Sequence, residues 1–173
     1  GDAALEQGDT ALARAALTKM SPGTGFPFLR FSLLLYEPNY AEADRFSLAL
    51  WRARQDPLGV QTFAVLSAMA ARAEGDLEKM RSYLLAARVA YEPVLPQQDP
   101  GVLSQLGLID ATLGRKGDSL RESQKAVELR PISRDAVEGP EYATRLAQVY
   151  LLTGDYERAM EQLLSVVKIA NGP

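Results

Sequence analysis

The chain has 173 residues with a net charge of −3, 47% hydrophobic and 24% charged residues, no cysteine and no histidine. That length supports one domain with a sizeable core. The composition excludes a disulfide framework, a thiolate nucleophile, a zinc–sulfur site and the usual near-neutral general base. No Lys/Arg cluster stands out, so nucleic acid is not an expected partner, because phosphate binding needs a concentrated basic face. The longest charge-free run, between Asp56 and Arg72, is 15 residues. That is short of the roughly 20 apolar residues that span a bilayer, so no membrane insertion is expected. No signal peptide opens the chain, and Gly1-Asp2 reads as the start of a fragment of a larger protein. The compartment stays open: lack of cysteine is compatible with either side of a bacterial membrane.

Taken in order, the apolar periodicity predicts helices over 3–7, 10–20, 26–36, 40–54, 58–74, 77–93, 100–114, 116–130, 140–153 and 156–170. The last two illustrate it. Leu146, Tyr150, Ala159, Leu163, Val166 and Val167 recur at helical spacing. Prolines 22, 57, 93, 96, 100, 131 and 140 sit at or between helix ends, as loss of a backbone donor requires. Between helices a punctuation recurs: Gly8-Asp9, Asn39-Tyr40, Gly75-Asp76, Gly114-Arg115 and Gly154-Asp155. Gly75 and Gly114 are 39 residues apart, Gly114 and Gly154 are 40 apart. A fixed period of this kind is the mark of stacked helical hairpins. No stretch alternates as a strand, and 131–139 is the longest interior connection.

Small residues at matched places let two helices approach to about 8–10 Å. Glycine supplies the turn, and Asp after it suits the start of the second helix. These residues resemble the tetratricopeptide repeat family. Its pattern of a Leu–small pair, an aromatic, a Gly-Asp turn, a small residue and a large apolar residue is met by Leu146, Ala147, Tyr150, Gly154-Asp155-Tyr156, Ala159 and Leu163. The preceding repeat carries Leu103, Leu106-Gly107, Ser119, Ala126 and the proline stop Pro131, and an earlier one Ala64, Ala68, Ala71, Gly75-Asp76, Leu84 and Ala87. The pattern departs at 26–54, where Phe31 stands in a small position and Pro38 in the turn, and the period exceeds the usual ~34 residues. The stretch from Glu128 to Met160, through Pro131, Ser133, Arg134, Asp135, Gly139 and Pro140, is similar to the repeat regions attached to bacterial serine/threonine kinases, adenylate cyclases and winged-helix regulators.

The resemblance implies an all-α right-handed solenoid of about four and a half helix pairs over residues 1–173. It implies a protein–protein interaction module that binds a peptide or helix in a concave groove, within a bacterial signalling or regulatory protein. No cofactor, metal or catalytic residue is expected. Carried onto this chain, the groove would comprise Phe28, Ser32, Leu35, Val65, Met69, Arg72, Gln105, Leu108, Arg145 and Gln148, apolar at one end and more polar at the other. Each apolar member has a plainer role as packing between helices. A ligand-sensing domain for an attached kinase or regulator is the alternative, and an enzyme using groove carboxylates is a third reading. Glu6, Glu42, Glu78, Glu122 and Glu157 are the carboxylates in question. Their places on second helices point to solvent and the helix dipole instead. Lys116 and Ser119 face one another at helical spacing, but Ser119 holds a packing position. "GRKGDS" lacks phosphate-loop spacing and a preceding strand. Trp51 is expected in the core. Leu164, Val167 and Ile169 leave the last helix apolar on its outer side, which would support self-association or a further element.

Overall fold

A computed structural model describes residues 9–18, 27–53 and 57–170. The predicted helix over 3–7 therefore lies outside the described residues. The described helices are α1 (Thr10–Thr18), α2 (Pro27–Tyr36), α3 (Tyr40–Ala53), α4 (Pro57–Glu74), α5 (Leu77–Tyr91), α6 (Pro100–Thr112), α7 (Lys116–Leu129), α8 (Gly139–Leu152) and α9 (Tyr156–Ala170). A 3₁₀ helix, Glu92–Gln97, joins α5 to α6, where the sequence predicted two more residues of helix. Pro93 and Pro96 explain it: each removes an N–H from the ladder, and short 3₁₀ turns tolerate that. No strand occurs among the described residues, so the fold is an all-α helical repeat.

Three turns are built alike. Gly75, Gly114 and Gly154 have φ of +88°, +79° and +82°, a region costly for any residue with a Cβ. The next residue's N–H reaches back to close the helix end: Asp76 to Ala71 O at 2.9 Å, Arg115 to Asp110 O at 2.7 Å, and Asp155 to Tyr150 O at 2.8 Å. Asn39 does the same to Leu34 O at 2.8 Å, with Pro38 where the others have glycine. This bond fixes the repeat register. Leu34, Ala71, Asp110 and Tyr150 are equivalent, and so are Phe31, Ala68, Gly107 and Ala147. Asp76 and Asp155 then cap α5 and α9 by accepting the N–H of Lys79 and Arg158. Asp99 does so for α6, accepting the N–H of Val102 at 2.9 Å ahead of Pro100.

The chain divides into two compact units, Gly1–Ala87 and Arg88–Pro173. In the first, α1 packs on α2, and α2 and α4 pack on α3 and on each other. Its core is Phe31, Leu34, Ala43, Leu66 and Ala70, with Leu35 and Phe46 against it. Phe31 is wholly buried, so the bulky residue in the small position fills the hairpin instead of preventing it. Ser47 and Ser67 pair across α3 and α4 at 2.5 Å. In the second unit α6 packs on α7, α8 lies against both, and α9 pairs with α8. Gly107 is needed where α6 meets α7: a Cβ there would sit 1.8 Å from Ser123 Oγ and 3.0 Å from the Ser119 carbonyl oxygen. Ala147 and Ala159 are both buried in the next hairpin, as expected. The connection after α7 is ordered by Asp135, which accepts the N–H groups of Val137 and Glu138 at 3.0 and 2.8 Å and pairs with Arg130 at 3.1 Å.

Candidate protein-docking faces

The first helix of each hairpin carries the residues singled out by sequence. In the first unit α2 and α4 lie side by side. Ser32 and Met69 occupy the same repeat place, two before the turn-closing carbonyl; Ser32 is half-buried and Met69 is 45% exposed. Leu35 and Arg72 are also equivalent to one another. Leu35 is half-buried and joins the core cluster, so packing claims part of it. Arg72 is exposed at the last turn of α4 and makes no ion pair with a described residue. Val65, a turn earlier, is half-buried. The Phe28 and Trp51 side chains lie outside the described residues.

In the second unit α6 and α8 are neighbours. Gln105 and Leu108 are half-buried on α6, and Gln148, equivalent to Leu108, is exposed on α8. Arg145 is not free: its guanidinium donates to Glu141 Oε1 at 2.5 Å, one helical turn away. It also lies near the buried Tyr91, whose hydroxyl burial pushes up to about 12 while Arg145 opposes that rise.

The carboxylates divide. Glu42, Glu78 and Glu157 lie in the first turns of α3, α5 and α9, where the dipole favours them. Glu6 lies outside the described residues. Glu122, expected to face water, is instead 6% exposed. It sits in a buried ionic cluster. Asp110, with no exposed surface, accepts Arg88 Nε on both oxygens at 3.0 and 3.1 Å and takes Arg115 at 3.4 Å. Arg88 reaches Glu122 Oε1 only at 3.7 Å, and Glu122 Oε2 has no partner. Burial, then the Asp110 charge, push Glu122 up to about 7, against Arg88 and Arg121. Two converging carboxylates with a raised pKa are what an enzyme reading requires. Asp110, however, is closed off from solvent and held by two guanidinium groups, which describes a packing element. A signal for it was present: Asp110 stands where the next repeat has the aromatic Tyr150.

Ser119 is also buried, and its hydroxyl donates to the Lys116 carbonyl, while the Lys116 ammonium donates to the Thr153 carbonyl at 3.0 Å. The pair is thereby engaged with backbone. Among the described residues no group of acidic side chains is arranged to hold a metal ion, and no helix is long and apolar enough to cross a membrane.

Comparison with known proteins agrees with this geometry. Residues 140–172, which comprise α8 and α9, match the family model of the tetratricopeptide repeat. No curated protein matches the sequence. Among solved structures the fold is similar to that of BtubC (BKLC) from P. vanneervenii, with a TM-score of 0.50 and 18% identity over 99% of this chain and 78% of that one. At that identity the likeness is one of fold. The chain is thus, over its described residues, an all-α helical-repeat protein whose residues 140–172 match the tetratricopeptide repeat.

Proposed function

We propose that the chain is a protein-docking module, and that its first-helix faces receive a peptide or helix of a partner. Tetratricopeptide repeats in general mediate protein–protein interactions. The observation that carries the reading here is the face of α4, where the exposed Met69 lies beside the half-buried Val65 and the exposed Arg72, which pairs with no acidic side chain among the described residues. An apolar anchor next to an exposed guanidinium suits a segment with an apolar side chain and a nearby carboxylate. Gln105, Leu108, Arg145 and Gln148 offer a more polar face of the same kind, with Arg145 released to a partner carboxylate at the expense of Glu141. Attachment to a kinase, cyclase or transcriptional regulator would place such docking within a signalling protein.

The test begins with peptides selected from a displayed library against the intact chain, followed by titration against variants. Arg72→Glu with Arg145→Glu should weaken binding by about tenfold or more, since charge reversal sets like charges against the ligand. Stability should fall only by about 0.4–1 kcal/mol, from the lost Arg145–Glu141 pair and the new repulsion between positions 145 and 141. Equal affinity for wild type and double variant would move the binding surface off these helices.

A further inference from the structure

The α6–α7 hairpin places charge where the other hairpins have neutral side chains. Register sets Glu122 level with Phe46, Tyr83 and Gln162, and Asp110 level with Leu34, Ala71 and Tyr150. Ser104 Oγ on α6 and Ser123 Oγ on α7 are buried as well. Neither of them, nor Glu122 Oε2, has a hydrogen-bond partner among the described residues. In the first unit, by contrast, Ser47, equivalent to Ser123, bonds Ser67 at 2.5 Å. Three polar atoms that lose water on closure and regain it on opening make this hairpin a weak point of the second unit.

The charges around Glu122 are balanced only with its proton in place. Arg88, in the last turn of α5, holds Asp110 on both oxygens at 3.0 and 3.1 Å and stands 3.7 Å from Glu122 Oε1. Arg115, from the turn, reaches Asp110 at 3.4 Å, and Arg121 of α7 is held by Asp118 at 2.7 Å. From α8, the Tyr150 hydroxyl meets α7 at Gln124. One largely buried guanidinium thus serves two buried carboxyl groups. With Glu122 protonated that trio is neutral; with Glu122 ionised it carries a net negative charge, and one carboxylate oxygen has no donor.

We infer that the α6–α7 hairpin is a proton-controlled clasp, closed while Glu122 holds a proton and opening locally at the middle turns of α7 once that proton is lost. Burial and the Asp110 charge push the Glu122 carboxyl up to about 7, which sets the change near neutrality. Opening returns Glu122 to water, where its pKa is 4.5, so opening releases a proton and is favoured as the pH rises.

Hydrogen exchange on the intact chain measures the opening. Protection of Ser119–Val127 in α7 should fall by about ten- to seventyfold between pH 5 and pH 8 after correction for intrinsic exchange, the upper figure applying where opening exposes Glu122 fully. The α8–α9 hairpin, with its core of Leu146, Tyr150 and Ala159, should keep its protection. Glu122→Gln should leave α7 equally protected at both pH values, because the amide does not ionise. Carbon NMR of the Glu122 carboxyl in the wild-type chain should show a titration midpoint between about pH 6 and pH 8, and it decides the matter if the variant does not fold. Four results would overturn the inference: α7 protection in wild type that does not change with pH, an equal fall in Glu122→Gln, an equal fall across α8 and α9, which marks a loss of stability by the whole unit, or a carboxyl midpoint below about pH 5.5.

Discussion

Glu122→Gln isolates one buried proton. Glu122 is 6% exposed, its nearer oxygen is 3.7 Å from Arg88, and its other oxygen is unpartnered. Burial and the neighbouring Asp110 raise its pKa from 4.5 to about 7. At about 1.4 kcal/mol per unit, that displacement corresponds to ~3 kcal/mol. Between those two values the folded chain holds a proton that the unfolded chain has released. The stabilising contribution of the protonated carboxyl is therefore complete below about pH 4.5 and is lost as the pH rises through about 7. About 2 to 3 kcal/mol of the loss falls between pH 5 and pH 8. Urea unfolding of wild type and Glu122→Gln across that range measures it. The difference between the two stabilities should swing towards the variant by this amount at pH 8, because the amide cannot ionise. Parallel profiles would refute the reasoning, since they would mean that Glu122 ionises in the folded chain as readily as in the unfolded one.

Other perturbations test the packing. Gly107→Ala should cost about 1–3 kcal/mol through its clash with Ser123 and the Ser119 carbonyl, partly offset by helix propensity. Gly117→Ala, in open space, should stabilise by about 0.5–1 kcal/mol; thermal melts of both variants give the contrast. Adding Ser123→Ala should recover part of the Gly107→Ala loss, because the nearest clashing atom is the serine hydroxyl. Ala159→Leu should overpack the last hairpin and cost about 1–3 kcal/mol, and a variant that melts with wild type would remove Ala159 from that position. Tyr150→Phe should cost about 1 kcal/mol by leaving Gln124 without its acceptor, read from urea midpoints.

Helix order and register were legible because both depend on local chemistry. Glycine at positive φ, Asp at the cap and small residues at contact places act within a few residues of one another. The turn at Pro38 was harder to read, since it lacks glycine, yet the Asn39-to-Leu34 bond gives it the same register. The 3₁₀ helix was missed because helical periodicity runs on past Tyr91 and only Pro93 argues against it. Glu122 was misread for a different reason. Its spacing suits a solvent face, and what draws it inward is Arg88 from α5 and Asp110 from α6, contacts that no local pattern displays. The candidate docking residues were legible as helix positions but not as states: sequence placed Arg72 and Arg145 alike, whereas Glu141 engages only the second.

The repeat register also shows one interface position solved in two ways. Arg88 of α5 meets Asp110 of α6; the equivalent pair in the next repeat, Val127 and Tyr150, meets as apolar surface. The ionic version carries a desolvation cost that the apolar one avoids, so stability alone does not account for it. What it adds is discrimination. A second helix with valine at the Arg88 place, set against α6, would leave the wholly buried Asp110 carboxylate to Arg115 alone, at 3.4 Å, at a cost of up to about 3–5 kcal/mol. A helix with arginine there, set against Tyr150, would strand a guanidinium in the same way. Each helix therefore accepts its own neighbour and resists the other's, although the two hairpins share a turn, a register and a period. That mismatch penalty helps decide which side chain meets Asp110 and which meets Tyr150.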